Sequence, residues 1–146
     1  MADTYETVLY EQKGATALIT MNRPDAFNSF NTQHRSDLSA AMMRAAADSD
    51  IRAVVLNGSG RGFCAGADLK GARQKVRIED VLNVEYAASL NIIMTMDKPV
   101  IAAVHGAAAG IGMTFALASD LLVMGEDAYL MAAFSNISLV PDGGLT

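Results

Sequence analysis

Two short segments of this chain are composed to expose main-chain N–H groups rather than reactive side chains. Gly58-Ser-Gly-Arg-Gly-Phe-Cys-Ala-Gly-Ala-Asp68 and His105-Gly-Ala-Ala-Ala-Gly-Ile-Gly112 each follow an apolar run and lead toward a helical pattern. Glycine and alanine let a ligand approach the backbone closely. A helix N-terminus adds unsatisfied N–H donors and positive potential. Two such corners facing one another make an oxyanion hole, which stabilises negative charge developing on an acyl oxygen. Gly-rich strand-to-helix turns also serve tight packing, and the backbone pattern alone leaves both roles open.

One carboxylate lies in a suggestive place, Asp142 of Pro141-Asp-Gly-Gly144. The largely apolar stretch Phe134 to Val140 ahead of it favours a raised pKa, as a proton-transfer group needs. The same tetrapeptide is a strong turn and helix-capping sequence, so Asp142 has a structural reading too. Cys64 has no base positioned by the local sequence and reads as a small core residue. His105 reads as a loop hydrogen-bonding group, and Asp68 as the cap of the helix after the first loop. A dinucleotide site wants Gly-x-Gly-x-x-Gly, which neither Gly58-Ser-Gly60-Arg-Gly62 nor Gly110-Ile-Gly112 matches. No metal site is expected, since two scattered histidines and one cysteine lack ligand spacing.

Around these loops the pattern alternates strands and helices. Tyr5–Tyr10 and Ala15–Met21 read as strands joined at Lys13-Gly14. Asn31 caps a helix carrying Leu38, Met42, Ala45 and Ala46 on one face. Ala53–Leu56 is a short buried strand. A long helix runs from about Ile78 to Met96, and Val100–Val104 is another buried strand. After a turn come a helix over Ile111–Ser119 and strands at Leu121–Met124 and from Tyr129. This order predicts one α/β domain over residues 1–146, with parallel pairing.

The bulk numbers agree. The chain has 146 residues, about half of them apolar, and a formal net charge of -5. That is globular composition. An acidic chain without a basic stripe is a poor nucleic-acid binder. The single cysteine and the lack of a signal-peptide pattern favour a reducing cytoplasm. Between Lys98 and Asp120 the only ionisable group is His105, and that length would span a bilayer. Pro99, Gly106, Gly110 and Gly112 break it into separate buried elements, so no membrane span is expected.

Four motifs, in order and in register, carry a resemblance. Asn22-Arg-Pro followed by Asn28-Ser, then Gly62-Phe-Cys-Ala-Gly-Ala-Asp-Leu69, Lys98-Pro-Val-Ile-Ala-Ala-Val-His-Gly-Ala-Ala-Ala-Gly-Ile-Gly112 and Leu139-Val-Pro-Asp-Gly-Gly144 resemble the signatures of the enoyl-CoA hydratase/isomerase (crotonase) family. The resemblance covers essentially the whole chain. It implies a crotonase-like spiral of ββα units and an acyl-CoA thioester as substrate, with no separate cofactor because coenzyme A belongs to the substrate. It makes the Ala67 and Ile111 N–H groups the oxyanion donors, beside Gly66, Asp68 and Gly110. It sets Asp25, Ala26 and Phe27 on the coenzyme A side, with the Ala65 carbonyl near the adenine. Arg23 and Lys70 are candidate phosphate contacts, although an exposed cation is more often simply solvated.

The family's hydratases use two glutamates as acid and base. At the matching positions this chain has Thr114 and Phe134, neither of which transfers a proton as a carboxylate does. Resemblance to the Δ3,Δ2-enoyl-CoA isomerases makes Asp142 a single base, and a double-bond shift needs only one. Hydration by a variant route and a catalytically silent acyl-CoA binder are the alternatives. The family continues with a mostly helical part absent from this chain, and assembles as homo-oligomers. A trimer or hexamer is therefore expected.

Overall fold

The computed structural model describes residues 5–70, 78–137 and 140–141. Strand β1 (Val8–Lys13) folds back on β2 (Thr16–Met21) through a two-residue turn at Gly14 and Ala15, with Gly14 at φ +60. The register pairs Val8 with Met21 and Lys13 with Thr16. That pairing draws the polar Glu11, Gln12 and Lys13 into β1, beyond the Tyr5–Tyr10 range that hydropathy suggests. An edge strand tolerates them because one of its margins faces water. β3 (Ala53–Gly58), β4 (Val100–Val104) and β6 (Leu121–Met124) then add in parallel, giving the order β1-β2-β3-β4-β6.

A second, smaller layer alternates with this sheet. β5 (Ala107–Ala109) pairs in parallel with β7 (Tyr129–Met131), and single parallel bridges join Phe30 to Ala67 and Cys64 to Ala108. Each turn of chain thus runs from a main-sheet strand, through a short second-layer segment, toward a helix. This is the expected spiral of ββα units. β5 replaces the turn anticipated there. Alanine is a weak strand former, and the pairing exists because β7 supplies a partner from a later turn of the spiral.

α1 (Thr32–Ala47) follows the first turn, and the Asn31 side chain accepts from the His34 N–H at 2.8 Å as expected of a cap. At the other end the Lys98 ammonium donates to the carbonyls of Ala45, Ala46 and Asp48, orphan acceptors at a helix C-terminus. The second turn leads to α2 (Ile78–Asp80), a π-helical stretch Val81–Tyr86 and α3 (Ala87–Thr95). The long helix expected there is present, with its bonding pattern widened midway. α4 (Ile111–Ala118) closes the third turn. The apolar run from Lys98 to Asp120 is therefore divided among β4, β5 and α4. No helix among the described residues is long and apolar enough to cross a membrane.

Phe30 sits where the helices meet. Its ring centroid lies 5.0 Å from His34, 5.6 Å from Tyr86 and 4.9 Å from Phe115, so α1, the π-helical stretch and α4 share one aromatic contact. Below it is a buried polar network. The Thr7 N–H and hydroxyl both donate to Asp37 Oδ2 at 2.8 Å, and Gln33 donates to Asp37 Oδ1. Because the Thr7 hydroxyl donates to Asp37, it accepts from His34 Nδ1 at 3.0 Å, which assigns the Nδ1–H tautomer. His34 Nε2 then has no partner among the described residues.

Burial, reinforced by the Arg23 charge, lowers the His34 pKa from an ordinary 6.5 to about 4, against the opposing pull of Asp37. For Asp37 burial raises the pKa, but the hydrogen bonds from Thr7 and Gln33 outweigh it and hold it low. His34 is thus neutral when folded, while the unfolded chain takes up a proton below pH 6.5. Stability is complete above pH 6.5 and falls as pH drops toward 4, by about 3 kcal/mol. Urea unfolding across that range tests this, and His34→Gln should flatten the dependence. Lys98→Met, which strips three C-terminal carbonyls of α1 of their donor, should cost about 1–2 kcal/mol in the same assay.

Candidate functional site

The loop between β2 and α1 is organised by one side chain. Asn28 is fully buried, and its amide group donates to the carbonyls of Ser59 at 2.9 Å, Gly62 at 2.9 Å and Phe63 at 3.1 Å. Its Oδ1 accepts from the Arg23 N–H at 2.9 Å. Asn28 therefore ties the Arg23–Phe30 loop to the glycine-dense loop after β3. It does so with a left-handed backbone, φ +55, which asparagine adopts more readily than most residues. Phe27 is also left-handed, at φ +50, and its exposed ring lies 4.7 Å from the Arg61 guanidinium.

Backbone pairing extends the contact. Ala65 N–H donates to the Phe27 carbonyl, Phe30 N–H to the Gly66 carbonyl and Asp68 N–H to the Phe30 carbonyl, at 2.9, 2.8 and 3.1 Å. The short 3-10 turn Pro24–Ala26, with Asp25 exposed and Ala26 half-buried, thus leads directly to the Ala65 segment. These four residues, expected to line one side of a ligand, are brought together. Arg23 is not free to act as an independent phosphate contact. It donates to the Ser29 carbonyl and pairs with Asp68 at 3.0 Å, and the two side chains are only 19% and 13% exposed. Asp68 was expected to cap the helix after the first loop, and residues 71–77, where that helix would begin, lie outside the described residues. Its Oδ2 faces Arg23 and its Oδ1 accepts from the Lys70 N–H at 3.0 Å.

The two glycine-rich corners abut. Cys64 N–H donates to the Ala107 carbonyl at 3.0 Å and Ala109 N–H to the Cys64 carbonyl at 2.8 Å. Gly66 has φ +96, and a Cβ there would lie 2.8 Å from the Ala109 oxygen and 3.6 Å from the Ile111 nitrogen. Only glycine fits. Standard bond lengths then hold the Ala67 and Ile111 nitrogens within about 8 Å of each other.

Acceptors around this junction account for most amides. Phe63, Cys64, Ala65 and Asp68 donate to carbonyls, Gly66 to the Cys64 sulfur, and Gly110 to the Met131 carbonyl. Among the described residues, the Ala67 and Ile111 N–H groups have no acceptor within the chain. Ala67 is exposed, whereas Ile111 opens α4 and is buried. One turn along α4, the buried Thr114 hydroxyl has no partner among the described residues. Phe134 is buried as well.

Two side chains that invite a chemical reading are otherwise engaged. Burial pushes the Cys64 thiol up to about 12, so it is a neutral S–H at ordinary pH and no nucleophile. His105 lies 3.0 Å from the Gly60 carbonyl, the loop contact expected of it. Asp142, the anticipated base, lies outside the described residues.

A ββα spiral with two abutting glycine-rich corners defines a protein class, and comparison with known proteins agrees on the fold. Residues 11–146 match the family model for enoyl-CoA hydratase/isomerase, and the chain belongs to that family. A Rhodobacter capsulatus protein named "probable enoyl-CoA hydratase" is 44% identical over 98% of this chain and 55% of its own length. The 1,2-epoxyphenylacetyl-CoA isomerase of Escherichia coli is 36% identical over 97% of this chain and 56% of its own. An enoyl-CoA hydratase crystal structure from Mycobacterium avium subsp. paratuberculosis superimposes with a TM-score of 0.85 at 33% identity, covering 97% of this chain and 53% of that one. The chain spans about half the length of the curated relatives it matches.

Asn28 and the Arg23–Asp68 pair are structural anchors that residue types alone did not reveal. Asn28 stands in a motif, but nothing local tells that its amide meets three carbonyls contributed by the loop after β3. Asn28→Ala strands those carbonyls and should cost about 3 kcal/mol or more. Asn28→Asp should be worse, because a carboxylate would face three carbonyl oxygens. Urea unfolding of the two variants against the parent measures both effects.

Proposed function

We propose that this chain carries the enolate-stabilising part of an acyl-CoA enzyme whose reaction is an enoyl double-bond shift. The observation that carries the reading is the pair of N–H groups, Ala67 and Ile111, without acceptors among the described residues, on corners that touch through Gly66. Two amides donating to a thioester oxygen stabilise the charge that develops when a C2 proton leaves. A carboxylate at Asp142 takes the proton from C2 and returns it at C4 of the dienolate. The electron pair moves from the broken C2–H bond toward the carbonyl, and the chain conjugates with the thioester.

Support for the shift over hydration comes from the positions that hold glutamate in the family's hydratases. Thr114 and Phe134 stand there, and neither can activate water as a carboxylate does. A relative named as an isomerase of a coenzyme A thioester is consistent with this reading. The hydratase names of other relatives favour the second reading, addition of water by a variant route. We place the protein in the cytoplasm as a homo-oligomer, a trimer or hexamer. The exposed apolar side chains Leu117, Leu121, Val123, Met124, Tyr129 and Met131 support association.

The test is turnover of a 3-enoyl-CoA, followed as appearance of the conjugated 2-enoyl product, beside consumption of a 2-enoyl-CoA. Isomerisation should exceed hydration. Asp142→Asn should lower kcat for isomerisation by about 100-fold to 10,000-fold. Full turnover in that variant rejects Asp142 as the base, and dominant hydration selects the second reading.

A further inference from the structure

Between the two corners lies a side chain that no step of the reaction uses. Cys64 is completely buried. Its Sγ donates to the Asn28 carbonyl at 3.1 Å and accepts from the Gly66 N–H at 3.4 Å, the amide next to that of Ala67. On its other side it meets α4. A Cβ on Gly112 would lie 2.8 Å from Cys64 Cβ, 2.9 Å from its Sγ and 2.5 Å from its carbonyl oxygen. Gly112 directly follows Ile111. One sulfur thus touches the neighbour of each candidate donor amide, and the Asn28 loop holds it from below.

We propose that Cys64 is a positioning residue: its thiol is the spacer that sets the separation and aim of the Ala67 and Ile111 N–H groups. The inference rests on the oxyanion reading above. The side chain's volume keeps the first turn of α4 from sliding onto the Cys64–Ala67 segment, and its contact with the Gly66 N–H orients the peptide leading to Ala67. Burial supports a lasting neutral thiol, since it pushes the pKa up to about 12. Other features of the molecule argue less. The cavity of about 380 Å³ between α1 and the π-helical stretch is lined by Arg35 and Glu85, which already pair with each other.

Infrared spectroscopy of butanoyl-CoA labelled with 13C at the thioester carbonyl tests this directly. The ligand is saturated and binds without turning over. Donation from two aligned amides polarises the carbonyl and lowers its stretching frequency. The wild-type protein should show that downshift relative to free ligand. Cys64→Ala should lose much of it, with kcat down by about tenfold to a hundredfold and KM within about twofold. Cys64→Ser keeps a donor and acceptor but thins the spacer, so its downshift should also weaken. A thermal melt shows that each variant is folded at the assay temperature, since packing loss alone would lower the melting point and leave the carbonyl frequency unmoved. If Cys64→Ala does not fold, Cys64→Ser carries the test. A folded Cys64→Ser with the wild-type frequency and kcat overturns the proposal while leaving the oxyanion reading intact. No downshift in the wild type overturns both.

Discussion

Three carbonyl oxygens, those of Ser59, Gly62 and Phe63, converge on the side-chain amide of Asn28. The loop after β3 is rich in glycine, and without this amide the buried Gly62 and Phe63 carbonyls and the half-buried Ser59 carbonyl would lose their donor. An unpaired buried carbonyl costs on the order of 1–3 kcal/mol. Gly58 shows how tight the arrangement is, since a Cβ there would lie 2.8 Å from Asn28 Nδ2 and 2.4 Å from the Phe63 oxygen. The clamp in turn seats the Phe27–Phe30 segment, whose backbone pairs with Ala65, Gly66 and Asp68. Everything in the candidate site stands on that seat.

From this follows the use of backbone rather than side chains. Where Gly66 of one corner packs against Ala109 and Ile111 of the other, there is no room for a Cβ on Gly66. What remains there is peptide, and peptide offers N–H donors whose direction is set by the fold. Such donors need little reorganisation when charge develops on a bound atom, which is why preorganised amides stabilise oxyanions well. The nearby ionisable groups leave that junction free of fixed charge. Arg23 and Asp68 neutralise one another, and the Cys64 thiol stays protonated.

The helices serve as backing for this junction. Phe30 lies in the second layer immediately before α1 and touches Phe115 of α4 and Tyr86 of the π-helical stretch. Because its backbone also pairs with Gly66 and Asp68, aromatic packing and loop position are mechanically linked. The Thr7–Asp37–His34 network anchors α1 to the chain entering β1 by buried hydrogen bonds. The outer face of β6 and the start of β7 are exposed and apolar.

Periodicity was enough to locate most elements. β3, β4, α4 and β6 lie within a residue or two of their expected bounds, because their apolar patterns are short, unbroken and bounded by glycine, proline or a charge. The Asn31 cap and the left-handed Gly14 were also legible, since such preferences are local. The extent of β1, the strand identity of Ala107–Ala109 and the fate of Asp68 were not legible. Each depends on a partner far away in the chain: Thr16–Met21 for β1, Tyr129–Met131 for β5 and Arg23 for Asp68. The amino-acid sequence by itself therefore determined the alternation of strands and helices and the glycine-rich composition of both corners. Only tertiary structure decided that the corners meet, that Asn28 and Cys64 pack against them and that the Ala67 and Ile111 amides have no acceptor among the described residues. The physical reason is that local preference acts over a few residues, whereas close approach and hydrogen-bond satisfaction are settled between segments tens of residues apart.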